Sequence, residues 1–204
     1  MINKKTVRGY AIDFLNRAVS TDETRYFMNG IHFDAENLNI VATDGKRLHM
    51  VKCNDKGIFD AFVADLGITT KEQKNIFMVE FVGNNYISTT AIDGQFPNYH
   101  RVIPEDNGLL RTDIDINYPK PTAKNDEKTK VYGQLVFALG KLGFIFNLNF
   151  IIDLHSITWD NFYRSPDTES IPSQDRSIKL TGKDNFFIYT AVIMPRSTEE
   201  RIEL

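Results

Sequence analysis

Asn39-Ile40-Val41-Ala42-Thr43-Asp44-Gly45-Lys46-Arg47-Leu48-His49-Met50 decides the reading of this chain. Ile40, Val41 and Ala42 form a short apolar run, Asp44-Gly45 is a strong turn signal, and Leu48 and Met50 resume an alternating pattern, so the stretch reads as a β-hairpin with a polar tip. An Asp-Gly hairpin by itself carries no function. Its neighbours give it meaning.

Before it, residues 6–20 place Val7, Tyr10, Ala11, Phe14, Leu15 and Ala18 at helical spacing, which predicts an amphipathic helix. Residues 26–33 read as a strand, and Ala35-Glu36-Asn37 turns it into the hairpin. After it, Asp55 offers an N-cap, and Ile58, Phe59, Phe62, Val63 and Leu66 recur at helical spacing until Gly67, so residues 55–66 read as a second helix. Residues 75–82 and 86–92 are two strands joined by Gly83-Asn84-Asn85. Residues 105–130 are polar and irregular, as expected of a linker; Asp113 and Asp115 alternate with Ile114 and Ile116 as on the solvated face of an edge strand. Residues 131–146 are apolar and β-rich. Asn147 can cap a short helix over 148–157, residues 158–164 read as a strand and 165–175 as a loop. Residues 177–182 and 186–194 make two last strands, and 198–204 a charged tail.

The chain has 204 residues, 42% hydrophobic and 25% charged, with a formal net charge of −3. This is a globular composition, and no apolar run approaches the roughly 20 residues that cross a bilayer. The expectation is a cytoplasmic protein with no membrane partner. Cys53 is the only cysteine, so an internal disulfide and a Cys-based zinc site are excluded, and it is expected to be a packed thiol at a strand end. The acidic balance argues against a general nucleic-acid binder. His32, His49, His100 and His155 are scattered without paired ligand spacing. With no phosphate loop and no nucleophile elbow, we expect no catalytic residues, no metal and no cofactor.

Three blocks stand in order: residues 25–33, Ala42-Thr43-Asp44-Gly45-Lys46-Arg47-Leu48, and Asp93-Gly94-Gln95-Phe96-Pro97-Asn98-Tyr99-His100-Arg101-Val102-Ile103-Pro104. Together they resemble the middle domain of the bacterial sliding clamp, the beta subunit of DNA polymerase III. Ala191-Val192-Ile193-Met194-Pro195-Arg196 is similar to the segment ending that family's last domain. The resemblance implies an α+β fold of DNA-clamp-like domains, with curved antiparallel sheets and two helices each, the second domain shortened. The expected division is a clamp-like domain over 1–104, a linker over 105–130 and a partial clamp-like domain over 131–204.

The resemblance also implies a non-enzymatic scaffold for processivity in DNA replication or repair, with a groove that receives short peptide motifs of replication or repair proteins. Carried over by block, Arg25 and Met28 form one wall, with Thr43, Gly45, Lys46, Arg47 and Leu48 beneath. Pro97, Arg101 and Val102 stand opposite, and Val192, Ile193, Met194, Pro195 and Arg196 complete the groove. Lys4, Lys5, Arg8 and Arg17, on or before the first helix, would face double-stranded DNA inside a closed homo-oligomer, although Asp13 dilutes that face. The chain departs from the family in three ways. The family has three domains per chain, the first helix of its last domain has no counterpart between Leu109 and Val131, and residues continue past Met194-Pro195. A reduced or divergent member is therefore expected. The rival readings are a regulator or decoy that keeps the groove without forming a ring, and an enzyme of unknown type on a clamp scaffold.

Overall fold

The computed structural model describes residues 2–3, 6–69, 75–105, 108–112, 146–166 and 177–195. Ten strands form one sheet: β1 (Ile2–Asn3), β2 (Ile31–Asp34), β3 (Asn39–Thr43), β4 (Arg47–Cys53), β5 (Ile76–Val82), β6 (Asn85–Ala91), β7 (Leu110–Arg111), β8 (Asn161–Arg164), β9 (Ile178–Lys183) and β10 (Phe187–Ile193). Their order is β1-β6-β5-β2-β3-β4-β10-β9-β8-β7, with every pairing antiparallel. Strands before residue 92 fill one side of the sheet and strands after residue 109 the other. The seam is β4 against β10, which pair from Arg47↔Ile193 to Cys53↔Phe187.

The helices begin where the sequence says they should, although the first, expected over residues 6–20, ends at Asn16. Thr6 caps α1 (Val7–Asn16) by accepting from the Gly9 amide, and Asp55 caps α2 (Lys56–Asp65) by accepting from Ile58. Gly67 follows at φ +76°, the left-handed conformation that ends helices on glycine. Asn147 caps α3 (Leu148–Ile152), which tightens into a 3-10 turn over Asp153–Ser156. In α1 the buried arc is displaced from the expected one: Ala11, Ile12, Phe14, Leu15 and Ala18 are buried, whereas Val7 in the first turn and Tyr10 at the arc's margin are exposed.

Period-2 alternation sorts the sheet into two faces. Ile40, Ala42, His49, Val51, Tyr189, Ala191 and Ile193 point to the helix side. There Phe14 stacks on His49 at 4.1 Å, and Phe62 meets Phe187 edge-on at 5.7 Å. Burying one such side chain contributes roughly 1.5–3 kcal/mol. Val41, Leu48, Ile76 and Val192 point the other way, into a second cluster closed by Phe96 and Tyr99.

Two local expectations fail. Residues 26–33 do not form one strand: Glu23–Met28 is a 3-10 helix, capped by the Asp22 carboxylate on the Thr24 amide, and only Ile31–Asp34 enters the sheet. The cap competes with extension, as Asp side chains do before a helical turn. Leu110–Arg111, read as linker, pairs with β8 as a short edge strand. The expectations for Asp113 and Asp115, for residues 131–145 and for the tail 198–204 lie outside the described residues.

Candidate functional site

The hairpin between β3 and β4 is fixed at its tip before anything else is added. Asp44 accepts from the amides of Lys46 and Arg47, and Thr43 Oγ1 accepts from the Gly45 amide while donating to the Arg47 carbonyl at 2.7 Å. Gly45 lies at φ +86°, and a Cβ there would come within 2.7 Å of Arg25 Nη1. Glycine thus allows both the turn and the arginine that lies over it. Across the seam the Met194 amide donates to the Lys46 carbonyl at 3.0 Å, carrying the β4–β10 ladder one residue past the strand end.

These elements enclose a half-open, mainly apolar groove of about 170 Å³ on the face away from the helices. Leu48 and Val192 are cross-strand partners and form its floor. Met28, Thr43, Gly45, Lys46 and Arg47 bound it on the hairpin side, Pro97 and Val102 stand opposite, and Met194 closes the end. Ten expected residues therefore converge. Asn98 and Tyr99 also line the groove. They lie inside the Asp93–Pro104 block, and the aromatic Tyr99 two residues after Pro97 was the signal available.

The other expected residues stand elsewhere. Ile193 is fully buried on the helix side, because it neighbours Val192 on a strand and must point the opposite way. Arg25 flanks the groove over Gly45 and is paired with Asp22 at 2.8 Å. Arg101 and Pro195 are not among the lining residues, and Arg196, Lys4 and Lys5 lie outside the described residues. Arg8 pairs with Asp65 at 2.5 Å and Arg17 with Asp153 at 2.8 Å, so both have carboxylate partners within the chain.

Arg47 borders the groove, but its guanidinium turns to the helix side. It bonds Asp44 at 3.0 Å and Asp153 at 2.5 Å, donates to the Arg17 carbonyl, and lies 4.3 Å from the Phe150 ring centre. The guanidinium is occupied in holding the hairpin tip to α1 and α3 and is not presented as a guide for a ligand. The opposite wall is held from behind. Tyr99 donates to Asp34 at 2.6 Å and accepts from Asn39 at 2.9 Å, while Phe96 stacks on His32 at 4.7 Å. Burial, with the bond to Asp34, pushes the Tyr99 phenol far up. Asp34 is also pushed up by burial, but the hydrogen bonds from Tyr99 and Asn37 outweigh this and leave its carboxyl below the ordinary value.

Among the described residues no group of three or more His, Cys, Asp or Glu is placed to hold a metal ion, and no helix is long and apolar enough to cross a membrane. Cys53 is buried at the end of β4, and burial pushes its thiol up to about 12.

A sheet of clamp type, helices on one face and a groove on the other, is the class these observations define. The crystal structure of the DNA polymerase sliding clamp from Bacillus subtilis superposes with a TM-score of 0.52 at 14% identity, covering 97% of this chain and 63% of that one. The Helicobacter pylori beta clamp gives 0.50 at 13% identity, covering 96% and 65%. These likenesses show the fold. In sequence, the beta sliding clamp of Treponema pallidum is 35% identical over 108 residues, covering 43% of this chain and 29% of the relative. That of Caulobacter vibrioides is 34% identical over 124 residues, covering 50% and 33%. No protein-family model matches the chain. Over these stretches the chain is similar to the bacterial beta sliding clamps. It spans about a third of the length of the curated relatives it matches.

Proposed function

We propose that this chain is a non-enzymatic clamp-type scaffold whose groove receives short peptide segments of DNA replication or repair proteins. The observation that carries this reading is the convergence of Met28, Leu48, Pro97, Val102, Val192 and Met194, from four separated stretches of sequence, onto one apolar depression. At about 170 Å³ it is smaller than the ~300–1,000 Å³ of a site for a drug-sized molecule, so it suits one or two apolar anchor side chains of an extended peptide. Two of its walls carry methionine, whose unbranched thioether adapts to different anchors. The chemistry offered is apolar burial with backbone groups at the rim, and no nucleophile or acid–base pair enters it.

The test is titration of several polymerase-derived peptides against the wild type and Leu48→Ala. Truncating a central anchor residue costs on the order of 2 kcal/mol. A comparable loss in Leu48→Ala, with the fold intact and Lys56→Ala unaffected, supports the reading; no binding, or equal binding to both proteins, defeats it. Processivity on duplex DNA requires a closed oligomer, whereas a regulator or decoy requires only the groove. The mass of the particle in solution at micromolar concentration separates the two.

A further inference from the structure

The geometry points to Lys179 as a positioning residue for the groove, one that sets the wall over residues 97–104 from across the seam. This rests on the peptide-groove reading for its functional meaning but on independent observations for its mechanism.

The wall is not part of the sheet. Past Ile92, whose amide donates to the Ile76 carbonyl, residues 93–105 make no backbone hydrogen bond to a strand among the described residues; the Arg101 amide reaches only Asn98. Side chains must hold this segment in place. Phe96 and Tyr99 do so at its beginning, through His32, Asp34 and Asn39, all from β2 and β3. Its end is held differently. Lys179 Nζ donates to the Pro104 carbonyl at 2.8 Å.

Lys179 comes from β9, on the other side of the seam. The register pairs it with Val192, and Val192 in turn with Leu48, so its stem lies beside the groove floor, on the same face. It is 8% exposed. A lysine so buried is uncommon, because an ammonium leaves water only for partners that compensate. Its carbonyl partner terminates the wall that carries Pro97 and Val102, so the ammonium fixes the spacing between that wall and the Leu48–Val192 floor. Removing it should loosen the wall without removing any residue that lines the groove.

The test compares the wild type with Lys179→Met, which keeps the stem and loses the charge, and Lys179→Arg, which keeps both; Lys179→Gln replaces the Met variant if that one does not fold. Amide exchange is followed across the chain, and a labelled polymerase-derived peptide is titrated into each protein. The expected result is exchange about tenfold faster at residues 99–103 in Lys179→Met, with β4 and β10 unchanged, and affinity about tenfold weaker, as for loss of one charge-assisted hydrogen bond. Both return toward wild type in Lys179→Arg. Unchanged exchange, uniformly faster exchange across the sheet, or faster exchange with unchanged affinity each overturns the proposal. If the wild type binds no peptide, the groove reading falls, and localised against uniform exchange still decides whether Lys179 positions the wall.

Discussion

His49 Nδ1 lies 2.6 Å from the carbonyl oxygen of Phe14, and the two rings stack in parallel at 4.1 Å. The contact requires Nδ1 to carry the proton and donate, which leaves Nε2 as a buried acceptor. A strand on the seam and the first helix are thereby joined by one polar bond inside an apolar layer.

The burial of this imidazole makes stability fall on mild acidification. Burial pushes the His49 imidazole down to about 3, and burial lowers His32 in the same direction. The unfolded chain then binds more protons than the folded one once the pH drops below about 6.5. The stabilising contribution is complete above about pH 6.5 and is lost progressively as the pH falls toward the folded value. The carboxylates with lowered values, Asp22 and Asp34, act only below about pH 4. Urea midpoints should therefore decline between pH 7.5 and 4.5, and His49→Phe, which keeps the stack and cannot titrate, should flatten that decline while costing stability at pH 7.5. An unchanged slope in His49→Phe would show that the imidazole is not buried neutral.

Arg47→Ala should destabilise the fold by about 2–4 kcal/mol, somewhat less than the ~3–5 kcal/mol for breaking a fully buried pair, because Asp44 and Asp153 keep partial access to water. Arg47→Lys should recover little of this, since one ammonium cannot reach Asp44, Asp153 and the Arg17 carbonyl together. Thermal melts of the two variants check this directly.

Gly45→Ala should cost about 1–2 kcal/mol through its positive φ alone. It should also displace Arg25 from its place over the hairpin tip. Gly57→Ala provides the control, being an exposed helical position where the added methyl meets only the Asp55 side chain at 3.2 Å. Denaturant midpoints should fall for the first substitution and hold or rise for the second.

Linear duplex DNA should bind weakly. Arg8 and Arg17 are already paired with Asp65 and Asp153, and the chain carries a net charge of −3, whereas tight backbone binding needs several phosphates neutralised. At physiological salt the affinity should lie no tighter than the ~10⁻⁴–10⁻⁶ M usual for non-specific contacts. A steep salt dependence with a tighter constant would refute it.

Much of this was legible because it is local. Asp55 and Asn147 announce helix starts, Gly67 a helix end, and Asp44-Gly45 a turn, each through bonds made within a few residues. The groove was legible only through resemblance, since Met28, Leu48, Pro97 and Val192 have no local pattern linking them. Ile193 was misplaced by treating a block as a unit when a strand must alternate. The 3-10 helix over Glu23–Met28 was hidden because Tyr26 and Phe27 have strand character, and only the Asp22 cap argues otherwise. Lys179 and Arg47 have roles that depend on partners up to about a hundred residues away, which composition and period do not encode.

The β4–β10 seam has a consequence for how the protein is made. Leu48 and Val192 meet only after some 140 intervening residues have been synthesised, so the groove floor is among the last pairings available to the nascent chain. Until β10 arrives, β4 presents an open edge with Leu48, Met50 and Val51 beside it, a template for misplaced strands. Leu48, which ends as part of the groove floor, is thus also among the residues most in need of protection during translation.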